Sequence, residues 1–238
     1  MSSITGIARF IAGALFSLFM GAVALVCFPL DYRRGRVFHG LSRLWARTVL
    51  LMCGVRLKVR GLEKLDSRRN YVYVSNHASL LDIPCVVAGI PVQIRILYKK
   101  ELEAIPLFGW ALKWGSYIAI ERGSSTSARR SLAAATRTIR NGASVHIYAE
   151  GTRTLTGQLL PFKRGAFNLA VSAGVPIVPL TINGSFAILQ KRSIVIHPNV
   201  VELVLADPIP VNYAGGKEEE VRLMKEVHDA MTRSYVNQ

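Results

Sequence analysis

Phe10 to Leu30 reads FIAGALFSLFMGAVALVCFPL, 21 residues without one charged side chain. A run of that length, wound as a helix, matches a bilayer core of roughly 30 Å. A cleaved signal peptide is the competing reading. The run is long for one, Arg9 is the only charge before it, and no Ala-x-Ala-like site follows. It reads as a membrane anchor. Arg33, Arg34, Arg36, Arg43 and Arg47 come next, and the positive-inside bias sets that side of the membrane in the cytoplasm. A second apolar stretch, Leu44 to Val55 (LWARTVLLMCGV), is too short to span alone. With the first it makes a helical hairpin lying in one leaflet, its arginines among anionic headgroups. Spanning and dipping both remain open.

Composition narrows the partners. Lys and Arg outnumber Asp and Glu by 30 to 15, a formal charge of +15. Such a chain meets nucleic acid, an anionic membrane surface or acidic small molecules. Half of it is hydrophobic and the mean hydropathy is +0.29, which is unusual for a nucleic-acid binder and ordinary at a membrane. Cys27, Cys53 and Cys85 form no CxxC pair and sit in apolar stretches, so reduced structural thiols are expected. The 238 residues suffice for one substantial domain with an appendage. The division expected is 1–55 for membrane-anchoring helices and 56–238 for the body.

Beyond Val55 short β-rich runs alternate with helical ones. Strands are expected at Leu57–Val59, Tyr71–Val74, Gln93–Leu97, Tyr117–Ile120, Val145–Tyr148, Pro176–Ile182, Ser193–Ile196 and Val201–Leu205. Helices are expected at Leu80–Ala88, Glu101–Trp114, Thr126–Arg140, Ala166–Ser172 and Glu218–Tyr235. This alternation predicts an α/β fold whose largely parallel sheet is covered by helices.

Several stretches carry chemistry. In YVYVSNHASLLDIP (71 to 84) a strand breaks at Ser75-Asn76 and places His77 five residues before Asp82. With five His and five Asp in the chain, chance gives about 0.1 such pairs, so the spacing needs context. YAEGTRT (148 to 154) follows another strand. Gly151 lets the backbone approach a ligand, Thr152 donates, and Arg153 offers a planar fork for phosphate, with Glu150 beside it to orient that fork. Lys163 and Arg164 of PFKRGAF lie within reach of the same loop. GSYIAIERG (115 to 123) delivers Arg122 at the end of a third strand. Ligands gather at the carboxyl ends of strands in open α/β sheets, so His77, Arg122 and Glu150 are expected at one edge. VPIVPL (175 to 180) has two prolines, which suggest an edge strand or a bulge.

These four stretches, in this order, resemble the glycerolipid acyltransferase family typified by 1-acylglycerol-3-phosphate acyltransferase. NHASLLD matches the family's Asn-His-x4-Asp motif and YAEGTRT its third motif, usually Phe-Pro-Glu-Gly-Thr-Arg-Ser. The stretch ending in Arg122 corresponds to the second motif and VPIVPL to the fourth. KKEL at Lys99 to Leu102 resembles the family's basic segment. Tyr148-Ala149 departs from Phe-Pro, and Ile-Glu precedes the second-motif arginine. The resemblance covers roughly residues 55 to 205.

It implies a fatty acyl group passing from an acyl thioester, acyl-CoA or acyl carrier protein, to a lysophospholipid hydroxyl with no cofactor. His77 is then general base and Asp82 its orienting acid, which accords with the chemistry of imidazole near pH 7. Asn76, Lys100, Arg122, Glu150, Gly151, Thr152, Arg153 and Lys163 are the substrate-binding candidates. Lysophosphatidate is the expected acceptor, and a lyso-ornithine lipid or another lysolipid the alternative.

Other classes fare worse. No Gly-x-Ser-x-Gly elbow supports a serine hydrolase. His39, His146, His197 and His228 stand apart from one another and suggest no metal, only packed or surface histidines. A nucleic-acid binder would show a reading helix or RNP-like motif, and none occurs. A lipid-binding protein without catalysis is the remaining non-enzyme reading.

Overall fold

The computed structural model describes residues 3–31, 35–121 and 125–236, apart from the side chains of 125, 126, 128 and 129. Two helices come first, α1 (Ser3–Cys27) and α2 (Arg36–Met52). The chain continues through β1 (Arg56–Arg60), β2 (Val72–Ser75), α3 (Asp82–Gly89), β3 (Ile94–Lys99), α4 (Phe108–Trp114) and β4 (Ile118–Ile120). It finishes with α5 (Ser125–Arg140), β5 (Ser144–Tyr148), α6 (Gly165–Ala173), β6 (Ile177–Asn183), α7 (Ser185–Ile188), β7 (Val200–Leu205) and α8 (Gly216–Ser234). The strands form one sheet in the order β1-β7-β6-β2-β5-β3-β4, parallel throughout except where β6 meets β7. The α/β expectation holds.

Side-chain alternation along the strands divides the core between the two faces of the sheet. Tyr71 and Tyr73 point into a cluster with Val49, Leu50, Cys85, Val86 and Ile94, beneath α2 and α3. Val72 and Val74 point the other way, against Ala135, Ile139, Phe167, Leu223 and Val227 of α5, α6 and α8. Helix α2 belongs to this core, since Ala46, Val49 and Leu50 are buried with the sheet residues. The helices of residues 1–55 and the α/β layer thus share apolar packing.

Helix α1 is long and apolar enough to cross a membrane, yet both its ends lie on the body. Gly6 accepts a hydrogen bond from the Ile196 amide, and a Cβ there would fall 2.7 Å from Val195. At Gly21 a Cβ would fall 2.7 Å from the Phe108 nitrogen. The two contacts are about 22 Å apart along the axis at 1.5 Å per residue. Only glycine permits that approach, and the opposite face of α1 (Ile4, Ile11, Leu15, Phe19, Val26) is exposed.

Three elements differ from expectation. Glu101–Trp114 is not one helix: Pro106 lacks the amide a helix needs, and the segment splits into a 3-10 turn at Lys100–Ala104 and α4. Ser193–Ile196 forms no strand, because its backbone pairs with α1 at Gly6 rather than with the sheet. β6 is no edge strand, having β2 and β7 on either side. The alternative reading, a bulge, fits it. The Ile177–Ile209 bridge and the Leu180–Leu205 pair differ by one residue in register, and Pro179 sits between them. Its carbonyl accepts from Ala206, so the side lacking an N–H faces the slipped register.

Candidate active site

β2 and β5 are parallel neighbours with Ser75 opposite Tyr148, so the segments leaving them emerge side by side. His77 follows β2. Its Nδ1 lies 2.7 Å from Asp82 Oδ2, an oxygen that also accepts from the Ala78 and Ser79 amides at 2.7 and 2.9 Å. An oxygen receiving two N–H donors is an acceptor for the third contact as well, so the proton of this pair sits on Nδ1. Nε2 is left with its lone pair and, among the described residues, without a partner. Asp82 is fully buried, while the His77 side chain is 15% exposed. Asp82 opens α3, whose N-terminal amides favour a negative group.

The face of the imidazole is held too. Tyr148 stacks on it at 3.8 Å between ring centroids and 14° between planes. Behind Tyr148, and edge-on to it at 4.6 Å, stands His146, whose Nε2 contacts Ser75 Oγ at 2.8 Å. Burial holds the His146 ring neutral, its pKa lowered to about 3. His146 is thus a packed histidine that supports the site from below.

The other expected residues fall into groups. Asn76 does not face substrate: its side-chain amide donates to the Ile182 carbonyl (2.9 Å) and accepts from the Ile182 amide (2.8 Å). It extends the sheet one residue beyond β2. Glu150 does not orient Arg153. Its buried carboxylate accepts from the His77 amide (2.8 Å) and the Leu160 amide (3.1 Å), tying the two motif loops together. Burial pushes the Glu150 carboxyl up to about 7, against the pull of these two donors. Both residues carry the motif's polarity inward, where a sequence shows only that they are polar.

Arg153 is half-buried beside the dyad, with its guanidinium unpaired among the described residues. Burial lowers its pKa and the Asp82 charge raises it. Gly151 has φ +67, and the Lys163 stem lies against it, 3.0 Å from where a Cβ would be. Thr152 is exposed and accepts from Lys191 Nζ at 3.1 Å. Lys191 also donates to the Arg153 carbonyl at 3.1 Å, a basic contribution no motif announces. Lys100 is exposed and paired with Glu121 at 3.3 Å. Arg122 lies outside the described residues, as do Arg33 and Arg34. Cys27, Cys53 and Cys85 are free thiols.

Beside the dyad a cavity of about 540 Å³ runs between α1, α2, α4 and the sheet. Its lining is almost wholly apolar and includes Phe10, Met20, Trp45, Leu81, Leu102 and Phe108. Leu81 and Ile83, the residues on either side of Asp82, both line it.

A model of the Acyltransferase family matches residues 56–183, from β1 to the end of β6. The chain belongs to this acyltransferase family. It is 31% identical to the chloroplast 1-acyl-sn-glycerol-3-phosphate acyltransferase BAT2 of Brassica napus over 83% of this chain and 60% of that one. With human 1-acyl-sn-glycerol-3-phosphate acyltransferase beta it shares 34% identity over 81% of this chain and 70% of the other. The chain spans 60% to 65% of the length of the first plant relatives it matches. The crystal structure of the 1-acyl-sn-glycerophosphate acyltransferase PlsC from Thermotoga maritima superposes with a TM-score of 0.82 at 25% identity, covering 98% of this chain and 94% of that one.

Proposed function

We propose that the chain transfers a fatty acyl group from an acyl thioester to the free hydroxyl of 1-acylglycerol-3-phosphate, giving phosphatidic acid. The observation that carries this is the His77–Asp82 contact at 2.7 Å, which leaves Nε2 as a basic lone pair at an accessible edge. Nε2 takes the hydroxyl proton as the oxygen attacks the thioester carbon. The tetrahedral intermediate then collapses, the carbon–sulfur bond breaks with its electron pair on sulfur, and the imidazolium gives its proton to the departing thiolate. No nucleophile of the protein enters, and such a base is typically worth about 10²–10⁴ in rate. The half-buried Arg153 meets the acceptor phosphate, and the apolar cavity holds an acyl chain, its volume falling within the roughly 300–1,000 Å³ common for ligand pockets. The names of the relatives support the acceptor. The donor is acyl-CoA or acyl carrier protein, and no cofactor takes part.

We also infer that the protein lies on the membrane and does not thread it. A perpendicular α1 would drag both of its docking contacts, at Val195-Ile196 and Leu107-Phe108, into the bilayer core. Lying flat, α1 buries its exposed apolar face among the acyl chains and keeps the body at the surface, on the cytoplasmic side by the charge bias of the α2 arginines.

The test uses purified full-length protein in detergent with labelled donor and a panel of lysolipids. His77→Ala is expected to lower transfer by about 10²-fold or more in a folded protein, with Asp82→Asn falling nearly as far. Arg153→Ala should raise the acceptor KM about 10-fold and leave the donor KM nearly unmoved, since about 1.4 kcal/mol is a factor of ten. Transfer surviving in folded His77→Ala overturns the mechanism. Preference for a phosphate-free acceptor such as lyso-ornithine lipid overturns the acceptor.

A further inference from the structure

The third-motif loop, from Gly151 to Leu160, is fastened on its inner side. The Thr154 amide donates to the His77 carbonyl at 3.0 Å, and the Leu160 amide to Glu150. Between those points Leu155, Thr156 and Gln158 are exposed, and the backbone turns at Gly157, which is buried with φ +78. Gly151 and Gly157 bracket the segment bearing Thr152 and Arg153 with two positive-φ hinges. The second hinge has its own tether: the Tyr235 hydroxyl donates to the Gly157 carbonyl.

Tyr235 comes from just past α8, far along the chain, and its backbone is held on both sides. Asn183, buried at the end of β6, donates from Nδ2 to the Ser234 carbonyl (2.9 Å) and accepts on Oδ1 from the Val236 amide (3.1 Å). One amide group thus straddles Tyr235 as a neighbouring strand would. Ser234 Oγ meets Thr181 Oγ1 at 2.7 Å. Asn183 adjoins Ile182, the residue gripped by Asn76 next to His77. The links close a ring around the site, from His77 through Asn76, the end of β6, Ser234–Val236 and Gly157 to Thr154 and back to His77. Burial pushes the Tyr235 hydroxyl up to about 12, which keeps it a donor. The family match ends at residue 183, so no motif assigns this segment.

We propose that Ser234-Tyr235-Val236 is a clasp that fixes the loop carrying Thr152 and Arg153, and that Tyr235 is a positioning residue for the lysolipid acceptor. The loop half stands on the hydrogen bonds alone. The acceptor half rests on the acyl-transfer reading above.

Tyr235→Phe keeps the ring and removes only the tether. Amide hydrogen exchange on full-length protein is expected to quicken within residues 151–160 by about fivefold, the equivalent of one net hydrogen bond of about 1 kcal/mol. Exchange in β6 and the body of α8 should stay as it was. With whichever lysolipid the unmodified enzyme accepts, the acceptor KM is expected to rise severalfold while the donor KM holds and the thermal midpoint falls by no more than the roughly 2–4 °C that one such bond entails. A merely structural tyrosine would leave the two KM values in proportion. Unchanged exchange in the loop overturns the clasp, whatever the activity. Faster exchange with an unchanged acceptor KM overturns the positioning role. Absence of transfer in the unmodified enzyme defeats the acyl-transfer reading and leaves the exchange result to decide the clasp.

Discussion

Tyr148 lies flat on the His77 imidazole, so the ring is fixed twice, at its edge by Asp82 and on its face by an aromatic ring. Its hydroxyl is buried with no hydrogen-bond partner among the described residues, as is Asp82 Oδ1. A stranded hydroxyl contributes nothing to the stack and costs about 1–3 kcal/mol of desolvation. Tyr148→Phe is therefore expected to keep full turnover and to unfold at the same or a higher denaturant concentration. Tyr148→Leu removes the stack and should lower kcat about 10-fold or more. A loss of turnover in Tyr148→Phe would show that the hydroxyl has a task the stack does not explain. His77 and Asp82 were legible as a pair because their spacing sat in a strand-to-helix turn. Asn76 and Glu150 were legible as polar motif residues, but not their direction, since a sequence does not say which backbone amides stand nearby. Tyr148 was visible only as a departure from Phe, and Tyr235 and Lys191 left no signal at all.

Elements were easier to read than the joints between them. Seven of the eight expected strands formed, because each was a short β-branched or aromatic run bounded by turn residues. Ser193–Ile196 looked like them and failed, since its partner is a helix more than a hundred and eighty residues upstream. Pro106 and Pro179 each redirected an element through a missing N–H. The joint between the exits of β2 and β5 is Glu150, and it makes stability depend on pH. Its folded pKa, about 7, lies above the ordinary value of 4.5, so its contribution is full below 4.5 and is lost as pH rises through 7. His146 acts with the opposite sign: held near 3, it contributes fully above 6.5 and loses that as pH falls. Glu150→Gln isolates the first effect, because His146 is common to both proteins. The variant forfeits one amide bond and should be less stable by about 1–3 kcal/mol at pH 5. That gap should narrow between pH 5 and pH 8, measured by urea unfolding in one detergent. A gap of constant size would mean that Glu150 stays ionised throughout.

At the scale of the whole molecule, the exposed apolar surface and the folding core are built from the same two helices. Helix α2 turns Ala46, Val49 and Leu50 into the core while Val37, Leu44 and Leu51, seven residues apart, face outward. Helix α1 does likewise, its glycines against the body and its large apolar side chains exposed. Trp110 and Trp114 of α4 extend this surface, and the Trp114 ring lies 5.7 Å from Phe28. Exposed tryptophans beside an apolar face suit the boundary between acyl chains and headgroups. A helical anchor that merely tethered a self-sufficient enzyme could be cut away with its loss felt only on bilayers. Here the cut also opens the core over Tyr73 and Cys85 and removes one wall of the 540 Å³ cavity. Deleting residues 1–52 is therefore expected to give an aggregating protein, inactive on bilayer and detergent-dispersed substrate alike. Trp110→Ser with Trp114→Ser leaves the core intact and should weaken binding to vesicles, with detergent activity retained. Because the chain carries +15, binding of the unmodified protein should be tighter to vesicles containing anionic lipid and should weaken as salt is raised. A soluble, folded and active 53–238 fragment would refute the shared core. Vesicle binding indifferent to both tryptophans would remove α4 from the membrane surface.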